Sequence, residues 1–180
     1  MIAWLKGNVI RKGGNWLIID VNGLGYRVFA STSIILSAKI GEPLSLWTHE
    51  QQREDGREYF GFATPDELEF FWKLITVSGV GPKMGLTIVG ASNLKAVSKW
   101  IDDGNIAALS EIHGVGKKTA QKIVLELKGK LADEGSGGDE AVDALTGLGY
   151  SREEAKGAVE GIDGTVEERI KGALKRQGRR

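Results

Sequence analysis

Apolar and polar residues alternate along the first third of the chain. Asn15-Trp16-Leu17-Ile18-Ile19-Asp20-Val21 is rich in β-branched and aromatic residues, Asn22-Gly23-Leu24-Gly25 is a turn signal, and Tyr26-Arg27-Val28-Phe29-Ala30 alternates behind it. A second hairpin is predicted, led in by Pro43-Leu44-Ser45-Leu46-Trp47-Thr48-His49 and out by Glu58-Tyr59-Phe60-Gly61-Phe62, with Asp55-Gly56 as the tight-turn dipeptide. About five short strands within residues 1–62 suggest a small closed barrel, because closure removes exposed sheet edges.

At Thr64 the period changes. Thr64-Pro65-Asp66-Glu67 has the form of a capping box with proline at the first helical position, and Leu68, Phe71, Trp72 and Ile75 follow at helical spacing. Residues 63–132 then read as short helices broken by glycines. Residues 133–139, small and polar, read as a flexible linker. Residues 140–180 read as three short helices. Leu145-Thr146-Gly147-Leu148-Gly149-Tyr150 closes the first, and boxes at Ser151/Glu154 and Thr165/Glu168 open the others.

Composition removes several kinds of chemistry. The absence of cysteine excludes disulfides, thiolate metal sites and a cysteine nucleophile. Two histidines, His49 and His113, leave little room for a zinc centre or a Ser-His-Asp triad, so no metal site and no catalytic residue is assigned. No apolar run approaches the ~18 residues of a membrane span, and Met1-Ile2-Ala3-Trp4-Leu5-Lys6-Gly7 does not resemble a secretory signal, so the expected location is the cytoplasm. The 24 basic and 24 acidic residues cancel, but unevenly along the chain. Residues 1–62 carry 7 basic and 6 acidic residues, residues 63–132 carry 9 and 7, and residues 133–180 carry 8 and 11. The acidic excess therefore sits in the tail, and net neutrality does not argue against nucleic acid.

Glycine is abundant, 26 of 180 residues, about twice the usual ~7%. Part of that excess falls in a repeat at an offset of 35. Leu74-Ile75-Thr76-Val77-Ser78-Gly79-Val80-Gly81-Pro82-Lys83 aligns with Leu109-Ser110-Glu111-Ile112-His113-Gly114-Val115-Gly116-Lys117-Lys118, and Ile88-Val89 with Ile123-Val124. The shared pattern predicts a helix, a Gly-Val-Gly turn that a β-carbon would obstruct, a valine plug between helices, and a second helix that starts at once. Such a start presents free backbone N–H groups and a positive dipole end, which suits a phosphate. Two copies in register, each with a trailing lysine (Lys83, Lys118), form the helix-hairpin-helix pattern, which grips a DNA backbone without reading bases. In the first copy Pro82 replaces Lys117, so that hairpin has one fewer cation. An ATPase-type phosphate loop is excluded: Gly116-Lys117 is followed by Lys118, and Gly129-Lys130 by Leu131.

Glu50 to Glu58 forms an exposed hairpin tip. Beside a DNA-binding domain, Glu54 and Asp55 would repel phosphates and hold strands apart, while Arg53 and Arg57 would attract the backbone. Asp102-Asp103 and Glu54-Asp55 are the carboxylate pairs that a docking nuclease would need, without a convincing third ligand in sequence. A general DNA-damage adaptor whose tail binds a partner helix is the other alternative.

Taken together, these parts resemble the RuvA family, the Holliday-junction-binding subunits of the bacterial branch-migration complex. The resemblance spans essentially the whole chain. It rests on the opening Met1 to Gly7 (with Ala3 where glycine is usual), Asp20-Val21-Asn22-Gly23-Leu24-Gly25-Tyr26, Arg53-Glu54-Asp55, Tyr59-Phe60-Gly61-Phe62, both glycine hairpins with Thr119-Ala120, and Leu145 to Tyr150. It implies a multi-domain α+β chain: an N-terminal OB-type β-barrel, a helical domain with two helix-hairpin-helix motifs, and a small C-terminal three-helix (UBA-like) domain. The resemblance assigns DNA-backbone contacts to Ser78, Gly79, Gly81, Lys83, Gly114, Gly116, Lys117, Lys118 and Thr119, an acidic pin to Glu54 and Asp55, and motor-partner contacts to Leu145, Leu148, Tyr150 and Leu174. It further implies a homotetramer that holds a four-way junction open and flat, a RuvB-type hexameric ATPase partner that uses the ATP, a junction resolvase in the larger complex, and a role in recombination and repair within the SOS response. The chain itself is expected to need no cofactor and to be non-catalytic.

Overall fold

Closure of a five-stranded sheet needs one strand long enough to pair on both sides, and the first strand has that length. In the computed structural model, which describes residues 1–54, 56–131 and 140–177, β1 (Trp4–Lys12) pairs through its first half with β4 (Pro43–Arg53) and through its second half with β2 (Trp16–Val21). A register shift between Val9 and Arg11 marks the bend. β2 turns through Asn22-Gly23, both at positive φ, into β3 (Leu24–Ala30), as a two-residue hairpin demands. β3 runs parallel to β5 (Gly56–Phe62), and β5 pairs antiparallel with β4, which gives a closed barrel in the order β1-β2-β3-β5-β4. Its interior is filled by Leu5, Val9, Leu17, Ile19, Val28 and Leu46, with Ile34 and Ile35 of a short helix, α1 (Thr32–Ser37), packed on it. That helix is capped by Ser31, and the strand pattern around it does not predict it.

Two aromatic residues of the last strand do a second job. Phe60 and Phe62 on β5 belong to the core of the helical part, together with Phe71 and Leu74 of α2 (Pro65–Thr76). The Phe62 and Phe71 rings lie 4.7 Å apart, and Phe60 stacks on Phe71 at 6.0 Å. Trp72 Nε1 donates to His49 Nδ1 on β4 at 3.3 Å. The remaining helices are α3 (Pro82–Val89), α4 (Leu94–Asp102), α5 (Ile106–Glu111) and α6 (Lys117–Leu127). Barrel and helices form one compact unit, Met1–Leu131, within which the barrel core and the helical core are distinct and β5 contributes Phe60 and Phe62 to the helical one. The box at Thr64 is also modified: Thr64 Oγ1 accepts the Glu67 N–H, but Glu67 Oε2 accepts the N–H of Ala63 rather than that of Thr64.

The second unit, Ala132–Arg180, contains α7 (Glu140–Gly147), α8 (Arg152–Val159) and α9 (Val166–Gln177). Its core is thin, built on Ala141, Val142, Leu145, Ala155, Ala158, Val159 and Ala173. The linker residues 133–139, and Asp55 of the expected pin, lie outside the described residues. Among the described residues no helix is long and apolar enough to cross a membrane.

Both tail boxes are formed. Ser151 N–H donates to Glu154 Oε2 at 2.9 Å, and Thr165 N–H to Glu168 Oε2 at 2.9 Å. Hydrogen bonds from the Ser151 hydroxyl and then its backbone hold the Glu154 carboxyl below its ordinary value; the Thr165 backbone and then its hydroxyl do so for Glu168. A lowered folded-state value means stability that is present above the ordinary 4.5 and is lost as pH falls through the lower folded value. Acidification below about 4.5 is therefore expected to fray the first turns of α8 and α9. Backbone ¹³C chemical shifts of Glu153 and Glu167 between pH 7 and 3 measure this, and Glu154→Gln is expected to remove the pH response at α8 alone.

Candidate nucleic-acid interface

The repeat at offset 35 folds into two hairpins that agree bond by bond. α2 and α5 each end on a residue of extended conformation, Val77 (φ −71°, ψ 127°) and Ile112 (φ −67°, ψ 127°), whose N–H groups donate back to Leu74 O and Leu109 O. Val80 N–H then donates to Val77 O at 3.0 Å, and Val115 N–H to Ile112 O at 2.9 Å. Val80 and Val115 are buried in the helical core, which is the plug expected of them. The following helices open on Gly81 (φ −83°, ψ 170°) and Gly116 (φ −79°, ψ 161°), neither of which offers a side chain to cap the free N–H groups.

The four hairpin glycines serve two different needs. Gly79 (φ +94°) and Gly114 (φ +83°) stand in the left-handed region, where a side chain is strained. Gly81 and Gly116 have ordinary φ, and a β-carbon on any of the four meets nothing within 4 Å. The expectation that a β-carbon would obstruct the turn holds at Gly79 and Gly114, through their φ, and is corrected at Gly81 and Gly116. Nothing inside the protein asks for glycine at 81 and 116; the space left open is on the outer side, over the unpaired N–H groups. That is a cradle an incoming anion can approach closely.

The cations are less symmetric than the repeat. Lys117 and Lys118 are exposed and have no ion-pair partner among the described residues. Lys83, the counterpart of Lys118, is tied to the barrel: its Nζ lies 3.4 Å from Glu58 Oε1 and 5.3 Å from the centre of the Phe29 ring. Pro82 also removes one N–H donor from the first cradle. Ser78 is exposed and Thr119 half-buried. Lys122 Nζ, on α6, donates to Ser78 O at 3.4 Å and so links the two hairpins, while Phe29, Lys83, Thr87, Ile112 and His113 line a cavity of about 340 Å³ beside them. Lys122, Arg27 (5.8 Å from the same Phe29 ring) and Glu58 are missed by the sequence, because only folding brings them to the hairpins.

In the acidic hairpin, β4 runs through Arg53 and β5 resumes opposite it at Gly56, so Gly56 is already a paired strand residue and not part of the tight turn that the Asp-Gly dipeptide suggested. Glu54 is exposed; Asp55 is outside the described residues. Both arginines are exposed and ion-paired. Arg53 Nε donates to Glu58 Oε2 at 2.7 Å, and an Arg57 guanidinium nitrogen lies 3.2 Å from Glu50 Oε1. Partial burial opposes charge on Glu58, but the Arg53 hydrogen bond and the charges of Lys83 and Arg53 outweigh it and hold the carboxyl below its ordinary range.

Of the four tail residues expected to meet a partner, Leu145 is corrected: at 1% exposure it is core, and its carbonyl accepts the Tyr150 N–H at 3.2 Å. Tyr150 is half-buried, whereas Leu148 (63%) and Leu174 (37%) are exposed. Asp102, half of one carboxylate pair, accepts the Gly129 N–H at 3.0 Å, and among the described residues no three histidine or acidic side chains gather as a metal site.

Three family models match the chain in succession: the RuvA N-terminal domain over residues 1–61, the SAM-like helix-hairpin-helix tandem over 71–130, and the RuvA C-terminal domain over 137–176. Proteins described as Holliday junction branch migration complex subunit RuvA are similar along nearly their whole length. The one from Desulforamulus reducens is 47% identical over 88% of this chain and 86% of its own. Those from Dehalococcoides mccartyi and a Thermoanaerobacter species are each 40% identical, over 97% and 98% of both chains respectively. Barrel, paired glycine hairpins and three-helix tail, matched in this order and at this identity, make the chain a member of the RuvA family.

Proposed function

We propose that this chain binds four-way DNA junctions as a homotetramer, holds them open and flat, and recruits a hexameric ATPase that drives branch migration. The observation that carries the proposal is the pair of matching hairpins whose open glycine positions leave helix N-termini uncapped toward solvent. In this reading Ser78, Gly79, Gly81, Lys83, Gly114, Gly116, Lys117, Lys118 and Thr119 hold phosphates on consecutive turns of an arm. They carry no base-reading groups, so discrimination comes from DNA shape. Glu54 and Asp55 project as a repulsive pin where strands separate. Leu148, Leu174 and the exposed part of Tyr150 form the tail's apolar contact for the motor, which is where ATP is used. The chain acts in the cytoplasm, without a cofactor and without cutting DNA.

The test is binding of labelled four-way junction and linear duplex across a salt series. The full chain is expected to prefer the junction, with log affinity falling by about 0.9 per neutralised phosphate for each decade of salt. Lys83→Ala with Lys118→Ala is expected to weaken binding to both DNA shapes and to flatten the slope by about one unit for each phosphate that the variant no longer neutralises. An unchanged affinity and slope would remove the phosphate cradles. Incubation of the same junction with Mg²⁺ is expected to leave it intact, and mass measurement of the complex to return a multiple of four chains.

A further inference from the structure

Glu58 stands on β5, close behind the acidic tip, and both of its carboxylate oxygens are engaged by different elements. Oε2 takes Arg53 Nε at 2.7 Å, across the pin hairpin; Oε1 takes Lys83 Nζ at 3.4 Å, from the first turn of α3. The carboxylate is 18% exposed, less than either cation it joins. Lys83 is steadied further by the face of Phe29. One side chain thus joins the arm of the pin to the first phosphate cradle.

For affinity alone this arrangement is unfavourable. A carboxylate beside a phosphate-holding lysine cancels part of the charge that attracts DNA, and it stays ionised because Arg53 and Lys83 together overcome its burial. Lys118, the counterpart in the second hairpin, has no such partner among the described residues. What the bridge supplies is geometry. A linear duplex needs only cradles, whereas an open junction needs cradle and pin at a matched separation.

We infer that Glu58 is a positioning residue for junction recognition: it fixes the β4 arm of the acidic hairpin, at Arg53, relative to the first phosphate cradle and so sets the preference for a four-way junction over a linear duplex. This role rests on the function proposed above.

The absence of cysteine makes a direct test clean. In the full chain, Gln52→Cys and Ser78→Cys take one spin label each, and the distance between them is read without DNA. A single narrow distance is expected with Glu58 present and a broadened one with Glu58→Gln. In the unlabelled chain, Glu58→Gln is expected to raise duplex affinity about two- to fivefold, the range for an exposed ion pair released, without a matching rise for the junction. The junction-to-duplex ratio therefore falls by about that factor. Adding Glu58→Gln to Lys83→Ala is expected to leave the ratio where Lys83→Ala alone put it. A distance that stays narrow in the variant overturns the inference whatever the affinities do. A broadened distance with an unchanged ratio overturns the role in recognition. If the unsubstituted chain shows no junction preference, it is the proposed function that fails, and the label distance still decides whether Glu58 positions the β4 arm.

Discussion

Replacing Gly81 and Gly116 together by asparagine is expected to lower junction affinity at least a hundredfold while leaving the melting temperature unchanged or slightly raised. The two effects have opposite signs because the glycines are N-caps. Both have the extended conformation of an N-cap at ordinary φ, and a β-carbon at either meets no neighbour, so asparagine fits without strain. As an N-cap, asparagine outranks glycine by a few tenths of a kcal/mol, because its side chain takes one of the free N–H groups. That is the group a phosphate needs. Charge-assisted hydrogen bonds contribute about 1.5–3 kcal/mol each, so losing one in each hairpin removes about 3 kcal/mol or more, two decades of affinity. The single substitutions separate the hairpins. Gly116→Asn is expected to weaken binding more than Gly81→Asn, because the first cradle already lacks the Pro82 donor and its Lys83 is held by Glu58. Isothermal titration beside calorimetric melting reads both signs. Undiminished affinity with a formed cap would show that DNA phosphates do not sit on these N-termini.

That result depends on a feature the sequence carries plainly. The repeat at offset 35 is visible in residue identities, and the structure matches it position by position, from the carbonyls of Leu74 and Leu109 to the caps at Gly81 and Gly116. Local chemistry is legible in the same way: Asn22-Gly23 turns where two positive φ values are needed, and both tail boxes close as their spacing requires. What is not legible is long-range. Tyr59-Phe60-Gly61-Phe62 alternates like any barrel strand, and nothing in that pattern says that Phe60 and Phe62 enter the core of the helical part rather than that of the barrel. The parallel pairing of β3 with β5 joins segments far apart in the chain, such as Val28 with Tyr59, and has no local signal. Charges near the pin are visible in the sequence but their partners are not, since Arg53 and Arg57 find Glu58 and Glu50 only across the hairpin ladder. Leu145 looks like its neighbour Leu148 in sequence; Leu145 lies within α7 and is buried, whereas Leu148 follows the end of that helix at Gly147 and is exposed.

The shared core leads to the largest expected effect on stability. Phe71 is fully buried and touches both sides of the boundary between architectures: Phe60 and Phe62 from β5, and His49 from β4 at 5.2 Å. Phe71→Ala removes a ring from a site that cannot collapse without moving a barrel strand against a helix, so the loss is expected at about 3–5 kcal/mol. For a unit of this size that lowers its melting transition by roughly 10–20 °C. Tryptophan fluorescence is a selective probe, since Trp4, Trp16, Trp47, Trp72 and Trp100 all belong to Met1–Leu131 and the tail has none. Phe71→Leu, which keeps most of the volume, is expected to recover more than half of the loss. The transition should remain single, with the barrel indoles and Trp72 reporting the same midpoint, because Phe60 and Phe62 cannot leave the helical core while the barrel stays closed. Two separate midpoints in single-tryptophan variants would mean that barrel and hairpins fold independently. The consequence reaches recognition. Trp72 donates to His49 and Lys83 reaches Glu58 only while this interface is packed, so the cradles keep their relation to the acidic hairpin through Phe71. Because the transition is single, Phe71→Ala is expected to lose junction and duplex binding together, at the same lowered midpoint.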